Sequence, residues 1–354
     1  MNSIKLKINQ KPIEYSIHIG SGIIKKEISN INDIGNYNQI LVIYDSMISS
    51  QFINIIEQSL LDSDMRFNKL SLDSSKDSKS FSTFNTINDY LLNHNYNRDS
   101  FLISFGGGSI GDLVGFVASN YYRGIDYIQI PSTLLSMIDS SIGGKTGIDT
   151  PSGKNLIGSF YHPRKVIIDM QLISSLNDSE INSGLFEAIK YAILFNLDLF
   201  NLIGCNLDNI RDLDIMSQII TQCCKMKSQV VLDDEKDLCD RKKLNFGHTI
   251  GHAIESIYGF RHGESVGYGM LCAIDISKQL GTLSESNYKK IFNLIHRLDL
   301  PNLNPDVDLI INQLKKDKKI EENKNNFILL NDIGNSYISN KVSIAMIKNS
   351  ISNL

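Results

Sequence analysis

Four short runs in the first half of the chain constrain its fold most: Gln39-Ile40-Leu41-Val42-Ile43-Tyr44, Phe101-Leu102-Ile103-Ser104-Phe105, Tyr127-Ile128-Gln129-Ile130 and Lys165-Val166-Ile167-Ile168-Asp169. Each is close to continuously apolar and bounded by Gly, Pro, Asn or Asp, which reads as a strand. A strand without polar alternation is buried on both faces. Because helical stretches separate the four, they predict a parallel sheet covered on both sides, a Rossmann-like α/β domain. Such sheets bind ligands beyond the carboxyl ends of their strands.

After about residue 178 the pattern changes. Ile181, Leu185, Ile189 and Ile193, then Ile215, Ile219 and Ile220, recur at helical spacing with few Gly or Pro between them. A mostly α-helical second domain is expected, with Asp178-Ser179 as its helix start and the domains at 1–178 and 179–354. The 354 residues suit that division, since single cores stop growing near ~250–300 residues. The polar tracts Ser71 to Ser82 and Glu321 to Asn326 are expected to be exposed loops.

A formal charge of −4 and the lack of any Lys/Arg cluster argue against a nucleic-acid partner. No apolar run approaches the ~20 residues that cross a bilayer, and Met1-Asn2-Ser3-Ile4-Lys5 lacks the apolar segment of a secretory signal, so no membrane partner and a cytoplasmic location are expected. Cys205, Cys223, Cys224, Cys239 and Cys272 are odd in number without C-x-x-C spacing; reduced thiols are expected.

Eleven of the 24 glycines lie between Gly106 and Gly158. The first cluster, Gly106-Gly107-Gly108-Ser109-Ile110-Gly111-Asp112, follows a strand and opens a helix. There glycines admit a phosphate close to the backbone, and the helix start offers unpaired N–H donors and a favourable dipole. It is not the G-x-G-x-x-G fingerprint, and a ligand-free turn is the plain alternative. The second cluster, Gly143-Gly144-Lys145-Thr146-Gly147 and Ser152-Gly153-Lys154-Asn155, sets two lysines among amides and hydroxyls, a poor core and a good anion site.

His248 and His252 are four apart in Gly247-His248-Thr249-Ile250-Gly251-His252, so on a helix they share a face, and His262 lies shortly downstream. Two imidazoles on one face reach one divalent ion, with a carboxylate from elsewhere completing the set. Glu187 and Lys190 place a carboxylate and an ammonium at i,i+3 on an apolar helix, where a solvated ion pair is the plainer reading. There is no H-E-x-x-H, so a metalloprotease has no support.

Long stretches then resemble one family in order. Gly115-Phe116-Val117-Ala118-Ser119-Asn120-Tyr121-Tyr122-Arg123-Gly124, the segment Ile130 to Thr146, Gly153-Lys154-Asn155-Leu156-Ile157-Gly158, Ser183-Gly184-Leu185-Phe186-Glu187-Ala188-Ile189-Lys190-Tyr191 and Leu244-Asn245-Phe246-Gly247-His248 are similar to 3-dehydroquinate synthase, within the sugar-phosphate cyclases. The resemblance implies a dinucleotide-binding α/β domain, a helical domain bearing metal and substrate, and a homodimer. It implies conversion of 3-deoxy-D-arabino-heptulosonate 7-phosphate to 3-dehydroquinate and phosphate in the shikimate pathway, with NAD and Zn or Co. A transient oxidation makes a neighbouring C–H bond acidic, phosphate is eliminated, the ketone is reduced again, and an aldol step closes the ring.

Position by position, the resemblance implies Glu187, His248 and His262 as metal ligands, and His252 as a proton-transfer or phosphate-contacting residue. Spacing alone allows His252 as a ligand too. It implies Lys145, Asn155, Lys227, Arg241, Asn245 and Lys318 at the substrate's anionic ends, Lys190 near the reacting hydroxyl, and Arg123 donated by a neighbouring subunit. Lys316 and Lys319 compete with Lys318 for that role. For NAD it implies Asp45 at the ribose, Gly107, Gly108, Ser109, Ile110, Gly111 and Asp112 at the pyrophosphate, and Lys79, Ser132, Thr133, Asp139, Lys145, Lys154 and Ser175 around them. Ser75-Lys76 departs from the usual Gly-Glu pair, so that either weaker NAD binding or a shifted loop is expected, with NADP use as a remote alternative; Ser132 replaces a Thr and keeps its hydroxyl.

Rival readings are a cyclase acting on a sugar phosphate without a carboxylate, a metal-dependent polyol dehydrogenase, and a degenerate non-catalytic binding protein. Lys227, Arg241, Asn245 and His252 favour the carboxylated substrate. Net NADH production would mark the dehydrogenase.

Overall fold

In the computed structural model, which describes residues 12–74, 78–316 and 326–354, the four apolar runs are the inner strands of a six-stranded parallel sheet. In chain order the first half runs β1 (Ser16–Gly20), α1 (Ile24–Ser29), β2 (Gln39–Asp45), α2 (Ser50–Asp62), β3 (Phe67–Leu72), α3 (Phe81–Asn93), β4 (Ser100–Gly106), α4 (Gly108–Asn120), β5 (Asp126–Pro131), β6 (Lys145–Thr150), β7 (Gly153–Phe160) and β8 (Lys165–Asp169). The sheet order is β1-β8-β5-β4-β2-β3. Every residue of β4 and β8 is buried, because helices cover both faces. Ile40, Val42, Phe101 and Ile103 face one core with α1, α2 and the second half of the chain. Leu41, Ile43 and Leu102 face a separate core with α3 and α4.

The strand order supplies the ligand crevice. From β2 the chain moves outward to β3, then returns to lay β4 on the other side of β2. That reversal opens the space beyond the carboxyl ends of β2 and β4, where open α/β sheets hold ligands. The pairing of Tyr44 with Phe105 brings Asp45 level with Gly106 at that edge.

The second half contains α5 (Asp178–Phe195), α6 (Leu197–Asn206), α7 (Leu213–Asp233), α8 (His248–Tyr258), α9 (His262–Gln279), α10 (Glu285–His296), α11 (Val307–Lys316), a hairpin of β9 (Phe327–Asp332) and β10 (Asn335–Ser339), and α12 (Ile344–Ser352). Asn177 and Glu180 form a reciprocal capping box at the start of α5, which satisfies two orphan backbone donors. Helix α9 is buried along most of its length and packs against α5, α8, α10 and α12. Its glycines permit this. A Cβ on Gly263 would lie 2.0 Å from the Ser183 carbonyl oxygen, and one on Gly269 would lie 1.8 Å from that of Gly247.

One expectation changes. The tract from Ser71 to Ser82 is not a uniformly exposed loop: Ser71 and Leu72 end β3, while Ser78 and Lys79 are buried. The buried lysine is held by acid and amide partners described below. The second glycine cluster forms an antiparallel hairpin of β6 and β7. Gly147 and Gly158 let its strands approach, each lacking room for a Cβ against the other strand's backbone. Lys318, Ser75-Lys76 and nearly all of Glu321 to Asn326 lie outside the described residues. Among the described residues no helix is long and apolar enough to cross a membrane, and all five cysteines are unpaired by disulfides.

Candidate active site

Helices α5, α8 and α9 converge on Glu187, His248, His252 and His262. Glu187 Oε1 lies 3.6 Å from Nε2 of both His248 and His262. Ligand atoms of the three histidines lie within 4.8 Å of one another. Each of the first pair of imidazoles is aimed by its other nitrogen: His248 Nδ1 is 3.0 Å from the Phe246 carbonyl oxygen, and His262 Nδ1 is 3.1 Å from Glu255 Oε2. In His248 donation from Nδ1 leaves Nε2 as the lone-pair nitrogen facing Glu187; in His262 the same hydrogen bond keeps the outer proton on Nδ1, so that Nε2 is the nitrogen a metal would take once its proton is displaced.

Glu187 is completely buried, and neither carboxylate oxygen has a well-formed hydrogen bond. Lys190, one turn along and also buried, pairs with Oε2. Burial pushes the Glu187 carboxyl up, but the Lys190 ammonium and the flanking imidazoles outweigh it and hold the pKa at about 2. His262 moves the other way, to about 9, because the carboxylates of Glu187 and Glu255 outweigh its burial. Burial, with Lys190 beside it, lowers His248 well below the usual imidazole value. Two nitrogens and one anionic oxygen around one point are the donor set that suits Zn or Co.

Lys190 also belongs to a second cluster. The π-helical turn Ser136–Ser140 presents Asp139, whose Oδ1 accepts from Lys227 Nζ at 2.6 Å and from the Tyr191 hydroxyl at 2.5 Å. Burial opposes ionisation of Asp139, yet Lys227 and Lys190 hold it well below the usual carboxylate range. Burial lowers the Lys227 ammonium against the pull of Asp139. Helix α7 thereby places a buried cation beside the metal-type cluster.

The glycine turn connects β4 to α4, with Gly107 as an N-cap lacking any side-chain cap. A Cβ on Gly108 would lie 2.9 Å from Ser140 Oγ, and one on Gly107 would lie 3.4 Å from Thr133 Cγ2. Ser109 and Ile110 follow in the first turn, leaving backbone N–H groups at a helix start. Ser132 N donates to the Gly106 carbonyl at 2.9 Å, so β5 leads into the same edge. Asp45 is nearly buried and accepts from Met47 N at 3.0 Å. Lys79 Nζ donates to Asp112 Oδ2 at 2.5 Å and also to Asn155 Oδ1. The structure thus joins Asn155, expected at the substrate, to Lys79 and Asp112, expected at NAD. Burial raises the Asp112 carboxyl despite Lys79. Ser175 donates its hydroxyl to the Leu172 carbonyl at 2.6 Å, after β8.

The remaining cations are dispersed around these clusters. Lys145 on β6 pairs with Asp237, and Lys154 on β7 pairs with Glu255 Oε1 at 2.5 Å. Arg241 is 2 % exposed, donates to the carbonyls of Glu235 and Gly143, and keeps Nε without a partner. Asn245 is exposed just before α8, and Arg123 is exposed in a left-handed turn with φ +65°. Glu255, Asp237 and Tyr191 were not singled out as site residues from sequence. Only Glu255 carried a signal, lying seven residues after His248 on one helix face.

Residues 69–183 match the family model for the 3-dehydroquinate synthase N-terminal region, and residues 184–320 match that for its C-terminal region. The chain belongs to the 3-dehydroquinate synthase family. A 3-dehydroquinate synthase of Haemophilus ducreyi is 35% identical over 348 residues, 96% of each chain. Among solved structures, a 2-epi-5-epi-valiolone synthase of Streptomyces hygroscopicus with NAD+ and Zn2+ bound shares the fold at TM-score 0.89 and 22% identity, covering 99% of each chain. A 2-deoxy-scyllo-inosose synthase complexed with carbaglucose-6-phosphate, NAD+ and Co2+ superposes at TM-score 0.87 with 25% identity, over 95% of this chain and 96% of that one. As a 3-dehydroquinate synthase family member the chain is an enzyme of the shikimate pathway that forms 3-dehydroquinate.

Proposed function

We propose that this chain converts 3-deoxy-D-arabino-heptulosonate 7-phosphate to 3-dehydroquinate and phosphate at the site built by Glu187, His248 and His262, using NAD and a Zn or Co ion. One observation carries the ligand assignment. Glu187 is an ionised carboxylate in a fully buried position, without a well-formed hydrogen bond, between two Nε2 atoms at 3.6 Å. An ion so placed costs several kcal/mol unless other charges compensate it; Lys190 and the flanking imidazoles do so here, and a divalent cation would be held by Oε1 and the two Nε2 atoms that face it. Solved relatives of the same fold carry NAD+ with Zn2+ or Co2+, which supports the cofactor pair.

When bound, the metal supplies Lewis acidity and NAD a reversible hydride acceptor. The chain's own residues do the rest. His248, kept neutral by burial, offers its Nε2 lone pair at physiological pH. Lys190 sits at the junction of the Glu187 and Asp139 clusters and lies near the reacting hydroxyl. His252 transfers a proton or contacts the phosphate. Lys145, Asn155, Lys227, Arg241, Asn245 and Lys318 meet the carboxylate and phosphate, whose desolvation demands fixed cations. Asp45, the turn Gly107 to Asp112, Lys79, Ser132, Thr133, Asp139, Lys154 and Ser175 orient NAD. The division at 178/179, a cytoplasmic location, and a homodimer in which Arg123 reaches the neighbouring site complete the proposal.

Metal content after dialysis tests the ligand set. Glu187→Ala, His248→Ala and His262→Ala should each lose the ion, while His252→Ala retains it. The three histidines are close enough to form an alternative set; loss of metal in His252→Ala together with retention in Glu187→Ala would establish that set instead.

A further inference from the structure

The His262 imidazole has a dedicated partner that no ligand assignment includes. Glu255 lies on α8 one turn beyond His252, with a side chain 15 % exposed. Its Oε2 is 3.1 Å from His262 Nδ1, and its Oε1 is 2.5 Å from Lys154 Nζ on the β6–β7 hairpin. One carboxylate therefore touches a proposed metal ligand with one oxygen and a lysine of the α/β half with the other. The contrast with His248 is informative. That ring is oriented by a neutral carbonyl two residues away, on its own chain segment, whereas His262 depends on a charged group from a different helix.

We infer that Glu255 is a positioning residue for the metal centre: it fixes the His262 tautomer with Nε2 toward Glu187 and strengthens that nitrogen as a ligand. The inference rests on the proposed ligand set. Its physical basis is general. A carboxylate behind a ligating imidazole holds the proton on the outer nitrogen, fixes the ring plane and raises ligand basicity. Lys154 shares the same carboxylate and so ties the hairpin to α8. Its ammonium balances the charge that Glu255 would otherwise place entirely on the imidazole.

The test uses Zn2+ and the full-length, metal-stripped protein, with the dissociation constant read by competition against a chromophoric chelator. Glu255→Ala should weaken Zn2+ binding by about 10–100-fold. Glu255→Gln should weaken it less, because the amide oxygen still accepts the Nδ1 proton without the charge. A merely structural role would lower the melting temperature of metal-free protein and leave the constant in place. If Glu255→Ala does not fold, Glu255→Gln decides: weakening of at least about threefold with an unchanged metal-free melting temperature supports the inference. Wild-type Zn2+ affinity in the Glu255 variants, while His262→Ala loses the ion, overturns the role of Glu255. Wild-type affinity in His262→Ala as well overturns the ligand set on which it rests.

Discussion

His262 and its two acidic neighbours make the site pH-sensitive in a direction that can be worked out. Burial disfavours the imidazolium, but Glu187 and Glu255 raise its pKa from 6.5 to about 9. A raised folded-state value stabilises the fold fully below 6.5 and ceases to do so as pH rises through about 9. Metal-stripped protein should therefore melt at progressively lower temperature across that interval. The effect is small, since the side chain is one-third exposed. Zn2+ must displace the same proton, so its apparent affinity should climb with pH over the same range; a flat affinity between pH 6.5 and 9 would remove His262 from the ligands. Site residues that occur in ordered motifs, such as Glu187 and Lys190 or the histidines, were legible before the structure. Asp237 was not, because it lies in the charge run Asp233-Asp234-Glu235-Lys236-Asp237 that reads as a solvated loop. Only packing of that loop on β6 shows its pairing with Lys145.

At the scale of elements, the site exists because α5, α8 and α9 approach more closely than side chains allow. Gly269 passes the Gly247 carbonyl, and Gly263 passes that of Ser183, so Glu187, His248 and His262 meet although they start from three helices. Gly269→Ala should push α8 away and cost about 1–3 kcal/mol of stability, as overpacking does, with weaker Zn2+ retention. Gly204→Ala in α6 is the contrast: its nearest neighbour would be Leu294 Cδ1 at 3.7 Å, so helix propensity should dominate and stabilise by about 1 kcal/mol. Urea denaturation midpoints compare the two, and an unchanged midpoint for Gly269→Ala would show that this contact does not set the helix separation. The same scale explains which elements could be read in advance. β2, β4, β5 and β8 are inner strands and therefore apolar throughout. β1 and β3 are edge strands with mixed burial, and the β6–β7 hairpin is rich in glycine and exposed residues, so neither presents a clean period.

The whole molecule joins an NAD-type edge, where Asp45 and the glycine turn meet beyond β2 and β4, to a metal-type cluster on the helical half. Two hairpin lysines, Lys145 and Lys154, bridge them by pairing with Asp237 and Glu255. Sequence motifs point to candidates in both halves, but the bridging pairs follow from how the hairpin packs across the molecule. In the proposed mechanism oxidation and re-reduction occur on one substrate at this joint site, so that the hydride is borrowed and returned. The decisive measurement follows phosphate release and absorbance of NADH together, with purified protein, NAD, Zn2+ and 3-deoxy-D-arabino-heptulosonate 7-phosphate. Phosphate should appear over many turnovers without accumulating NADH, and should stop when a chelator strips the ion. Phosphate release that persists in fully metal-stripped protein, or NADH accumulating in step with phosphate, would contradict the account.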